Sequence, residues 1–432
     1  MNNRDLLIAN GMVIDPSQGI SEVREVMVRN GRIAALGAGL DRGIAEVFDA
    51  SGLLVMPGFI DMHAHLREPG DEESETIATG CESAARGGFT AVCAMPNTNP
   101  ATDDAGRVRY ILGRAEGCAA RVYPVGAITC GRAGKELVEM AEMIQAGAVG
   151  FSDDGCSVAD ARIMMNALRY AAMVGKPIIA HEEDPALDAG GQMNNGNIAT
   201  ELGLPGMPSI AEEIMVMRDI ALAEYTGTRL HITHISTRGT VDIIRAAKAR
   251  GAQVTCDVTP HHLALTEDAV ATFDTRFKVN PPLRARADAD ALREGLKDGT
   301  IDAIATDHAP HYIERKECEF LFASFGATGL ETAVGVIQKE LVDTGMLAWS
   351  DVAEKMSAAP ARILGIEGGT LREGAVADIT IYDPGAAWTV DPATMASKSA
   401  NTPFIGWTLP GRAVATVVGG MLHVRRLSPA GK

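Results

Sequence analysis

The chain has 432 residues, of which 46% are hydrophobic, and its formal net charge is −17 at pH 7. A chain of this length is too long to fold around one small hydrophobic core, so we expect one large globular domain with an accessory part. The negative charge, without any block of Lys and Arg, argues against nucleic-acid binding. No apolar run approaches the roughly 18 residues that a membrane span needs, and the first residues lack the apolar segment of a secretory signal.

Seven cysteines are scattered along the chain without CxxC pairs. An odd, dispersed set in a chain of this size is typical of reduced thiols packed as small hydrophobic residues, and it predicts a cytoplasmic location. The negative surface also implies that an acidic substrate would need locally placed cations.

Both ends of the chain differ from its middle. Residues 5–54 and the tail contain short apolar runs separated by asparagine–glycine and glycine-rich turns, which are typical of β-hairpins. We expect the two segments to form one small β-sandwich domain together. The predicted organisation is residues 1–55 and 366–432 as the two parts of this small domain, and residues 56–365 as one large domain.

The middle of the chain alternates between apolar runs and helical stretches. The apolar runs predict eight strands, at residues 53–62, 90–95, 122–128, 148–151, 177–180, 230–233, 252–256 and 301–305. Helical stretches lie between most of them, over 135–146, 211–224, 238–250 and 287–297. Near-continuous apolar strands that alternate with helices indicate a parallel α/β sheet covered on both faces. Eight such units predict a TIM barrel, whereas the rival doubly wound sheet lacks a supporting GxGxxG turn.

Metal-competent side chains recur where these strands end. His63 and His65 end the first strand, and residues two apart in a strand point the same way. Polar residues also end later strands, at Asn97, Asp153, Asp154, His181, His234 and Asp307. Four of the ten histidines fall at these positions. Because the active site of a TIM barrel lies at the C-terminal ends of its strands, the sequence predicts a metal site there.

The remaining histidines are interpreted individually. His231 and His234 face opposite ways on a strand, and His234 is assigned to the site because it lies nearer the strand end. His261 and His262 are interpreted as supporting residues, and His308 as lying off the metal. Four imidazoles and two carboxylates exceed the three protein ligands of a catalytic zinc. They suit two ions with one bridging carboxylate, Asp154 or Asp153, and favour Zn²⁺ over Mn²⁺ or Co²⁺.

Six blocks of the sequence resemble the dihydroorotases of the amidohydrolase superfamily. The first block, GFIDMHAHLREPG at 58–70, resembles the metal motif of that family. The later blocks are MPNT at 95–98, FSDDG at 151–155, TPHHL at 259–263, NPPLR at 280–284 and ATDHAPH at 305–311. The resemblance runs from about residue 50 to FIGW at 404–407 and covers nearly the whole predicted barrel.

The resemblance implies six metal ligands and a set of substrate-binding residues. The ligands are His63, His65 and Asp307 on a first ion, His181 and His234 on a second, and Asp154 as the bridge. The substrate-binding residues are His65, Arg67, Asn97, Asn280, His311, Phe325 and Gly326. Arg67 continues the alternation from His65, and its planar guanidinium is the local cation that an acidic substrate requires.

The residue that bridges the two metal ions differs between close relatives. Hydantoinases and dihydropyrimidinases carry a carboxylated lysine on strand 4, whereas residues 147–154, GAVGFSDD, contain no lysine. The chain therefore resembles the branch of dihydroorotases that bridges with aspartate. It departs from the family pattern at Glu182, where relatives often have a small or thiol residue, and this departure predicts an added charge near the second ion.

The implied reaction is the reversible cyclisation of N-carbamoyl-L-aspartate to L-dihydroorotate and water, a step of pyrimidine (UMP) biosynthesis. A hydroxide bridging two Zn²⁺ ions would attack the ring amide, with Asp307 as general acid and base. The nearest alternative is an allantoinase or hydantoinase, whose substrates lack the ring carboxylate. A non-catalytic dihydroorotase-like partner of aspartate transcarbamoylase is disfavoured because no ligand is missing. We expect a homo-oligomer, and the resemblance allows association with aspartate transcarbamoylase.

Overall fold

A computed structural model describes residues 5–425 of the chain. Its strands, in chain order, are β1 (Leu6–Asp15), β2 (Ile20–Arg29), β3 (Arg32–Gly37), β4 (Glu46–Asp49), β5 (Leu54–Pro57), β6 (Phe59–Ala64), β7 (Phe89–Ala94), β8 (Arg121–Pro124), β9 (Ile178–Ala180), β10 (Met193–Asn194), β11 (Gly206–Met207), β12 (Leu230–Ile232), β13 (Val254–Val258), β14 (Ala303–Ile304), β15 (Ile379–Thr389), β16 (Thr408–Val418) and β17 (Met421–Arg425).

The helices follow the strands of the middle segment. They are α1 (Ile77–Gly87), α2 (Ala105–Arg114), α3 (Met140–Ala146), α4 (Ala161–Met173), α5 (Asn197–Leu202), α6 (Ser209–Thr226), α7 (Arg238–Ala249), α8 (Pro260–Ala264), α9 (Arg286–Lys297), α10 (Ala333–Ile337), α11 (Trp349–Ala353) and α12 (Ala359–Leu364). Within residues 5–425, none of the helices has both the length and the apolar character needed to cross a bilayer.

Strands from both chain ends share one mostly antiparallel sheet. The strand order is β17–β16–β15–β5–β1–β2–β3, with β4 beside β1. The pairing of β15 with β5 joins the C-terminal strands to the N-terminal ones, from Ile379 opposite Pro57 to Tyr382 opposite Leu54. Buried residues of both ends, including Val13 and Ala415, form one apolar cluster. The two ends therefore fold together, as predicted from the sequence.

The apolar run at 53–62 forms two strands, so the prediction of a single strand there is wrong. β5 belongs to the sheet of the chain ends, whereas β6 pairs in parallel with β7. Pro57 ends β5, because proline cannot donate to a strand ladder. Next to it, Gly58 packs directly against Thr90, whose Oγ1 would lie 2.1 Å from a Cβ atom at position 58.

The middle segment is α/β with parallel strands, as predicted. β6, β7 and β8 form one ladder and β9, β12, β13 and β14 another. Single parallel bridges continue these ladders from Gly126 to Phe151, from Phe151 to Ile178, and from Ala64 to His308. The predicted strand at 148–151 is thus reduced to one bridging residue.

The apolar core has an outer and an inner part in this segment. α7, for example, packs Val241, Ile244 and Ala247 toward the strands, a spacing that is typical of an amphipathic helix. The inner side chains of the strands form a separate cluster that includes α12. The predicted helix at 135–146 begins only at Met140, because Leu137 pairs with Thr129 in a short antiparallel bridge.

Candidate active site

Four histidines converge at the C-terminal ends of the parallel strands. The ring centroid of His63 lies 5.1 Å from that of His65 and 5.0 Å from that of His234, and those of His181 and His234 are 4.8 Å apart. All four side chains are buried. The sequence prediction that these histidines form one cluster agrees with this arrangement.

The convergence of His63 and His65 involves an irregularity in β6. Met62 belongs to the apolar cluster inside the strands, so uninterrupted alternation would turn His63 away from that side. The pairing register of β6 with β7 shifts between Asp61 and Ala64. The shift interrupts the alternation, and both imidazoles lie at the same end of the strands.

Asp154 lies at the centre of the histidine cluster. Its Oδ1 lies 3.3 Å from His63 Nε2 and 3.5 Å from both His181 Nδ1 and His234 Nε2, and its Oδ2 lies 3.6 Å from His65 Nε2. Burial by itself raises the pKa of this carboxyl group, but the charge of His63 and hydrogen bonds with the histidines outweigh burial. They hold the pKa of Asp154 well below its usual range, so the group is a carboxylate.

The neighbouring Asp153 points away from the cluster. Its Oδ1 accepts hydrogen bonds from the backbone N–H groups of Ile128, at 2.8 Å, and Thr129, at 3.0 Å. Its Oδ2 accepts a hydrogen bond from the Thr129 hydroxyl. Asp153 therefore holds the segment after β8, and Asp154 is the central carboxylate of the aspartate pair.

Asp307 approaches the cluster from the segment after β14. Its Oδ1 lies 2.9 Å from His65 Nε2 and 3.5 Å from His63 Nε2. Burial raises the pKa of Asp307, but the hydrogen bond with His65 and the charge of His63 outweigh it and lower the pKa below its usual value. His308 turns away, as predicted, because its Nδ1 accepts the N–H of Gly329 and its Nε2 lies 3.5 Å from Glu75.

Three of the imidazoles have a hydrogen-bond partner on the ring nitrogen that points away from the cluster centre. The pairs are His63 Nδ1 with Thr233 Oγ1 at 2.8 Å, His65 Nδ1 with Asn97 Oδ1 at 2.8 Å, and His181 Nε2 with Glu183 Oε2 at 3.0 Å. Such partners fix the tautomer and orientation of metal-ligating histidines. Thr233 and Glu183 were missed by sequence reasoning, although each lies within two residues of a predicted ligand.

The backbone at the site adopts conformations that non-glycine residues rarely adopt. Positive φ angles occur at Arg67 (62°), His234 (38°) and Asp307 (47°). Buried aspartates brace two of these turns: Asp257 accepts the N–H of His234 at 2.7 Å, and Asp61 accepts the N–H of Thr306 at 2.9 Å. Strained residues held by their surroundings cluster at functional sites.

The prediction that Arg67 continues a strand alternation is wrong. β6 ends at Ala64, and a left-handed backbone turn at Arg67 sets the direction of its side chain.

The donor set fits divalent metal ions. Two overlapping groups, His63–His65–Asp307 and His63–Asp154–His234, each hold their ligand atoms within 4.8 Å of one another. Burial lowers the pKa of His63, but the Asp154 and Asp307 carboxylates outweigh it and raise the pKa to about 9. Imidazoles that retain protons between buried carboxylates form a site in which a cation can replace those protons.

A second polar group lies beside the metal-competent cluster and centres on Arg67. Arg67 Nε donates to Pro310 O at 3.0 Å, and its Nη2 lies 3.4 Å from His311 Nε2. Burial lowers the pKa of Arg67 to about 10, so the guanidinium stays charged at neutral pH. Burial and Arg67 lower the pKa of His311, which is therefore neutral. Among residues 5–425, this half-buried cation hydrogen-bonds the Pro310 carbonyl and lies beside the neutral His311, so its nearest protein partners are uncharged.

The loop at Phe325 and Gly326 closes this group. His311 Nε2 bonds Phe325 O at 2.7 Å, and Gly326 N–H donates to Lys278 O at 2.9 Å. Gly326 has a φ of 130°, and a Cβ atom there would lie 2.7 Å from Ala309 Cβ. A side chain at position 326 would therefore displace the loop from His311.

The two predicted amide residues contact the ligands or their partners. Asn97 bonds His65 through Oδ1, and its Nδ2 donates to Asp154 Oδ2 at 3.3 Å. Asn280 Nδ2 donates at 2.7 Å to Glu183 Oε2, the same oxygen that bonds His181. The structure thus brings both amides to the edge of the cluster.

The predicted added charge at Glu182 is wrong. Its side chain is buried beside Asp219, and burial and the Asp219 carboxyl group raise the pKa of Glu182 well above its usual range. The carboxylate that bonds His181 is Glu183, one residue further along the chain.

Comparisons with known proteins agree with these features. The family described as dihydro-orotase-like matches residues 52–240. A dihydroorotase of Pelotomaculum thermopropionicum is 55% identical over 415 residues, covering 96% of this chain and 97% of that protein. A dihydroorotase of Geobacter metallireducens is 51% identical, covering 98% of this chain and 100% of that protein. The chain belongs to the dihydroorotase family.

Solved structures of other hydrolases share the fold of this dihydroorotase-family chain. An L-hydantoinase (dihydropyrimidinase) from Arthrobacter aurescens has a TM-score of 0.88 and 27% identity, covering 98% of this chain and 97% of its own. A dihydropyrimidinase from Brevibacillus agri has a TM-score of 0.85 and 24% identity, covering 98% of this chain and 95% of its own. The fold alone therefore does not distinguish the dihydroorotase family from these proteins. The distinction depends on the residues of the site.

Proposed function

We propose that the protein is a dihydroorotase, which catalyses the reversible cyclisation of N-carbamoyl-L-aspartate to L-dihydroorotate and water in pyrimidine biosynthesis. The observation that carries the proposal is the half-buried Arg67 guanidinium, which has uncharged hydrogen-bond partners and lies beside the histidine–aspartate cluster. Asp71, Asp307 and Asp154 act on this cation through their charge, and a ring substrate with a carboxylate would supply an anion bonded directly to it. The family membership and the names of the relatives support the same reaction.

We propose that two Zn²⁺ ions bind the cluster. His63, His65 and Asp307 would hold the first ion, His181 and His234 the second, and Asp154 would contact both. The number of ligands supports two ions, because a catalytic zinc takes about three protein ligands. Divalent ions bound there supply polarisation of the amide carbonyl and a lowered pKa for a water molecule.

In the proposed mechanism, Asp307 is the general acid and base. Its lowered pKa keeps it a carboxylate that can accept a proton, and its Oδ1 is held 2.9 Å from His65 Nε2. During ring opening Asp307 accepts a proton from the attacking water and delivers it to the leaving ring nitrogen. Arg67, with His311 beside it, fixes the ring carboxylate so that the amide faces Asp307. The predicted ring contacts of Asn280, Phe325 and Gly326 belong to this proposal.

We also propose that the parallel strands close into a TIM barrel. The bridges Gly126–Phe151, Phe151–Ile178 and Ala64–His308 support closure, because they connect the two ladders at both of their edges. The domain organisation stays as predicted, with 1–55 and 366–432 flanking a hydrolase domain at 56–365. The cytoplasmic location, the homo-oligomer and an aspartate transcarbamoylase partner also remain predictions.

A hydantoinase or dihydropyrimidinase activity is the second candidate, and the likeness to the Arthrobacter aurescens structure favours it. Two observations weigh against it. Residues 147–154 contain no lysine, and the central carboxylate is Asp154. Arg67 would have no anionic partner in a substrate whose ring carries no carboxylate.

Substitution of Arg67 tests the carboxylate site. Arg67→Met is expected to lower kcat/KM for L-dihydroorotate by about 2–5 kcal/mol, roughly 30-fold or more, because the substrate carboxylate would lose its charged partner. The metal content should stay unchanged, since Arg67 is not a ligand. Steady-state kinetics with elemental analysis measure both quantities. Arg245→Met, which removes an exposed arginine paired with Asp242 and Asp298, is the matched control. If Arg67→Met kept the kcat/KM of the wild type, the substrate carboxylate would have to bind at a site other than Arg67.

The equilibrium between the two substrates should depend on pH. Ring opening creates a second carboxylate and releases a proton near neutrality. The equilibrium ratio of N-carbamoyl-L-aspartate to L-dihydroorotate should therefore rise about tenfold per pH unit, or roughly 1.4 kcal/mol. Hydrolysis should therefore quicken with rising pH, and cyclisation should be faster at mildly acid pH. Initial rates in both directions over about pH 6 to 9, followed by the ultraviolet absorbance of the ring amide, provide the measurement. Parallel pH profiles in the two directions would contradict the mechanism.

A further inference from the structure

A segment from the C-terminal part of the chain, residues 396–401, crosses the loops that surround the candidate active site. We call this segment the strap. Ser399 Oγ donates at 2.7 Å to Ser74 O, so the strap is bonded to the loop between β6 and α1 that also carries Arg67. Its last residue, Asn401, is buried and reaches the segment after β14. The strap therefore connects two loops of the site.

Asn401 bonds three backbone groups in the segment after β14. Its Oδ1 accepts the N–H of His311 at 3.2 Å. Its Nδ2 donates at 3.0 Å to Ala309 O and at 3.1 Å to Gly326 O. A side-chain amide has two N–H donors, and Asn401 uses both of them on backbone carbonyls. One side chain thereby ties the backbone of His311 to that of Gly326.

The carbonyl of Gly326 is held a second time, by the buried side chain of Lys316. Lys316 Nζ donates at 3.0 Å to Gly326 O and at 2.7 Å to Ser324 O. Asn401 and Lys316 thus meet at one oxygen atom. Gly326 has a φ of 130°, and glycine has little conformational preference of its own. The hydrogen bonds at its carbonyl are therefore what keeps this turn in place.

These bonds act on the part of the site that we assign to the substrate carboxylate. His311 Nε2 bonds Phe325 O at 2.7 Å and lies 3.4 Å from Arg67 Nη2. His311 also borders a cleft of about 520 Å³, which Asn401 and Lys316 line as well. Because this side of His311 faces a cleft, close packing alone does not fix its position, and the bonds of Asn401 supply that restraint.

The metal-competent cluster is held by other contacts. His308 forms parallel bridges with Ala64 and Ala327, and these bridges fix the chain beside Asp307. The three hydrogen bonds of Asn401 reach none of the six predicted metal ligands. Loss of the Asn401 side chain should therefore disturb the carboxylate site and leave the metal-competent cluster in place.

We propose that Asn401 and Lys316 are positioning residues for the substrate carboxylate. They hold the Gly326 carbonyl in place. Asn401 also holds the backbone N–H of His311, so that its imidazole stays beside Arg67. The inference rests on the proposed function, because it needs a substrate ring that carries a carboxylate. The expected effect is on KM and not on kcat, since these side chains support binding in the ground state and the transition state equally.

The test is steady-state kinetics of the zinc-loaded full chain with L-dihydroorotate. Asn401→Ala should raise KM at least about tenfold and change kcat less than about threefold, with the metal content and circular dichroism spectrum of the wild type. Asn401→Asp, which keeps the side-chain size but lacks the two N–H donors, should also raise KM if Asn401→Ala folds poorly. Gln338→Ala is the matched control. It removes another buried amide, which bonds Pro384 O and the Tyr382 hydroxyl, and should keep the wild-type KM.

A double-variant cycle tests the shared carbonyl. Lys316→Met should raise KM by a similar factor, because it removes the other donor to Gly326 O. Lys355→Met removes a buried lysine that donates at 2.8 Å to Ile301 O, and as the matched control it should keep the wild-type KM. Because Asn401 and Lys316 act through one oxygen atom, the rise in KM of the double variant should be at least about threefold smaller than the product of the two single effects.

The possible results separate this inference from the proposed function. Wild-type KM in a folded Asn401 variant would overturn the positioning role, and so would a fall in kcat with unchanged KM. Fully multiplicative effects in the double variant would overturn the shared hold on Gly326. No turnover of L-dihydroorotate by the wild-type chain in the same assay would contradict the proposed function itself, whereas an active wild type with unaffected variants would contradict only the positioning role.

Discussion

Asp154→Ala is expected to abolish turnover and to lower the metal content of the purified protein. The Asp154 carboxylate lies 3.3–3.6 Å from nitrogen atoms of all four clustered histidines, and no other carboxylate of the described residues occupies that central place. Its loss should leave neither ion correctly held, and kcat should fall at least about 10³-fold, or roughly 4 kcal/mol of barrier. Elemental analysis after gentle purification and an assay with L-dihydroorotate measure the two effects.

The adjacent aspartate provides a matched control for this substitution. Asp154→Asn and Asp153→Asn make the same chemical change one residue apart, but Asp153 bonds Ile128 and Thr129 rather than the histidines. We expect Asp153→Asn to keep its metal and most of its activity. Full metal content and a normal rate in Asp154→Ala would rule out Asp154 as the bridge.

Asp307→Asn is expected to suppress both directions of the reaction by about 10²- to 10⁴-fold, the usual contribution of a general acid–base group. Asparagine keeps an oxygen that can face an ion but cannot carry the proton. The variant should fold, because Asp307 has a φ of 47° and asparagine tolerates this left-handed conformation well. Rates in both directions, with metal content measured on the same sample, separate loss of proton transfer from loss of an ion. Substantial activity in metal-loaded Asp307→Asn would contradict the assigned role.

The positions of the central site residues could be predicted because they follow a simple rule. His63, His181, His234 and Asp307 each lie at or just after a parallel strand, and parallel strands present their C-terminal ends together. Asp153 and Asp154 could not be distinguished from the residues alone, since both follow the same strand position. The hydrogen bonds of Asp153 to the segment after β8 distinguish them.

Several contacts around the ligands could not be predicted, because the two residues that make each contact are distant in sequence. Asp257 accepts the N–H of His234 from another strand, and Asn280 reaches Glu183 across 97 positions. The conformation of the backbone turns could not be predicted from the sequence either. The left-handed conformation of Arg67 replaces the expected strand alternation, and the break after Pro57 divides one apolar run between two sheets. The contact of His181 with Glu183, and not with Glu182, likewise depends on which side of the chain faces the cluster.

The Arg67 guanidinium fits a site that acts on a ring with a carboxylate. The most direct measurement compares kcat/KM of the isolated, zinc-loaded chain for L-dihydroorotate with kcat/KM for dihydrouracil and hydantoin, whose rings have no carboxylate. The Arg67 guanidinium, with its uncharged protein partners, predicts hydrolysis of L-dihydroorotate and a preference of at least about 10²-fold over both other rings. Equal or faster hydrolysis of dihydrouracil or hydantoin, or no turnover of L-dihydroorotate by the metal-loaded chain, would contradict it.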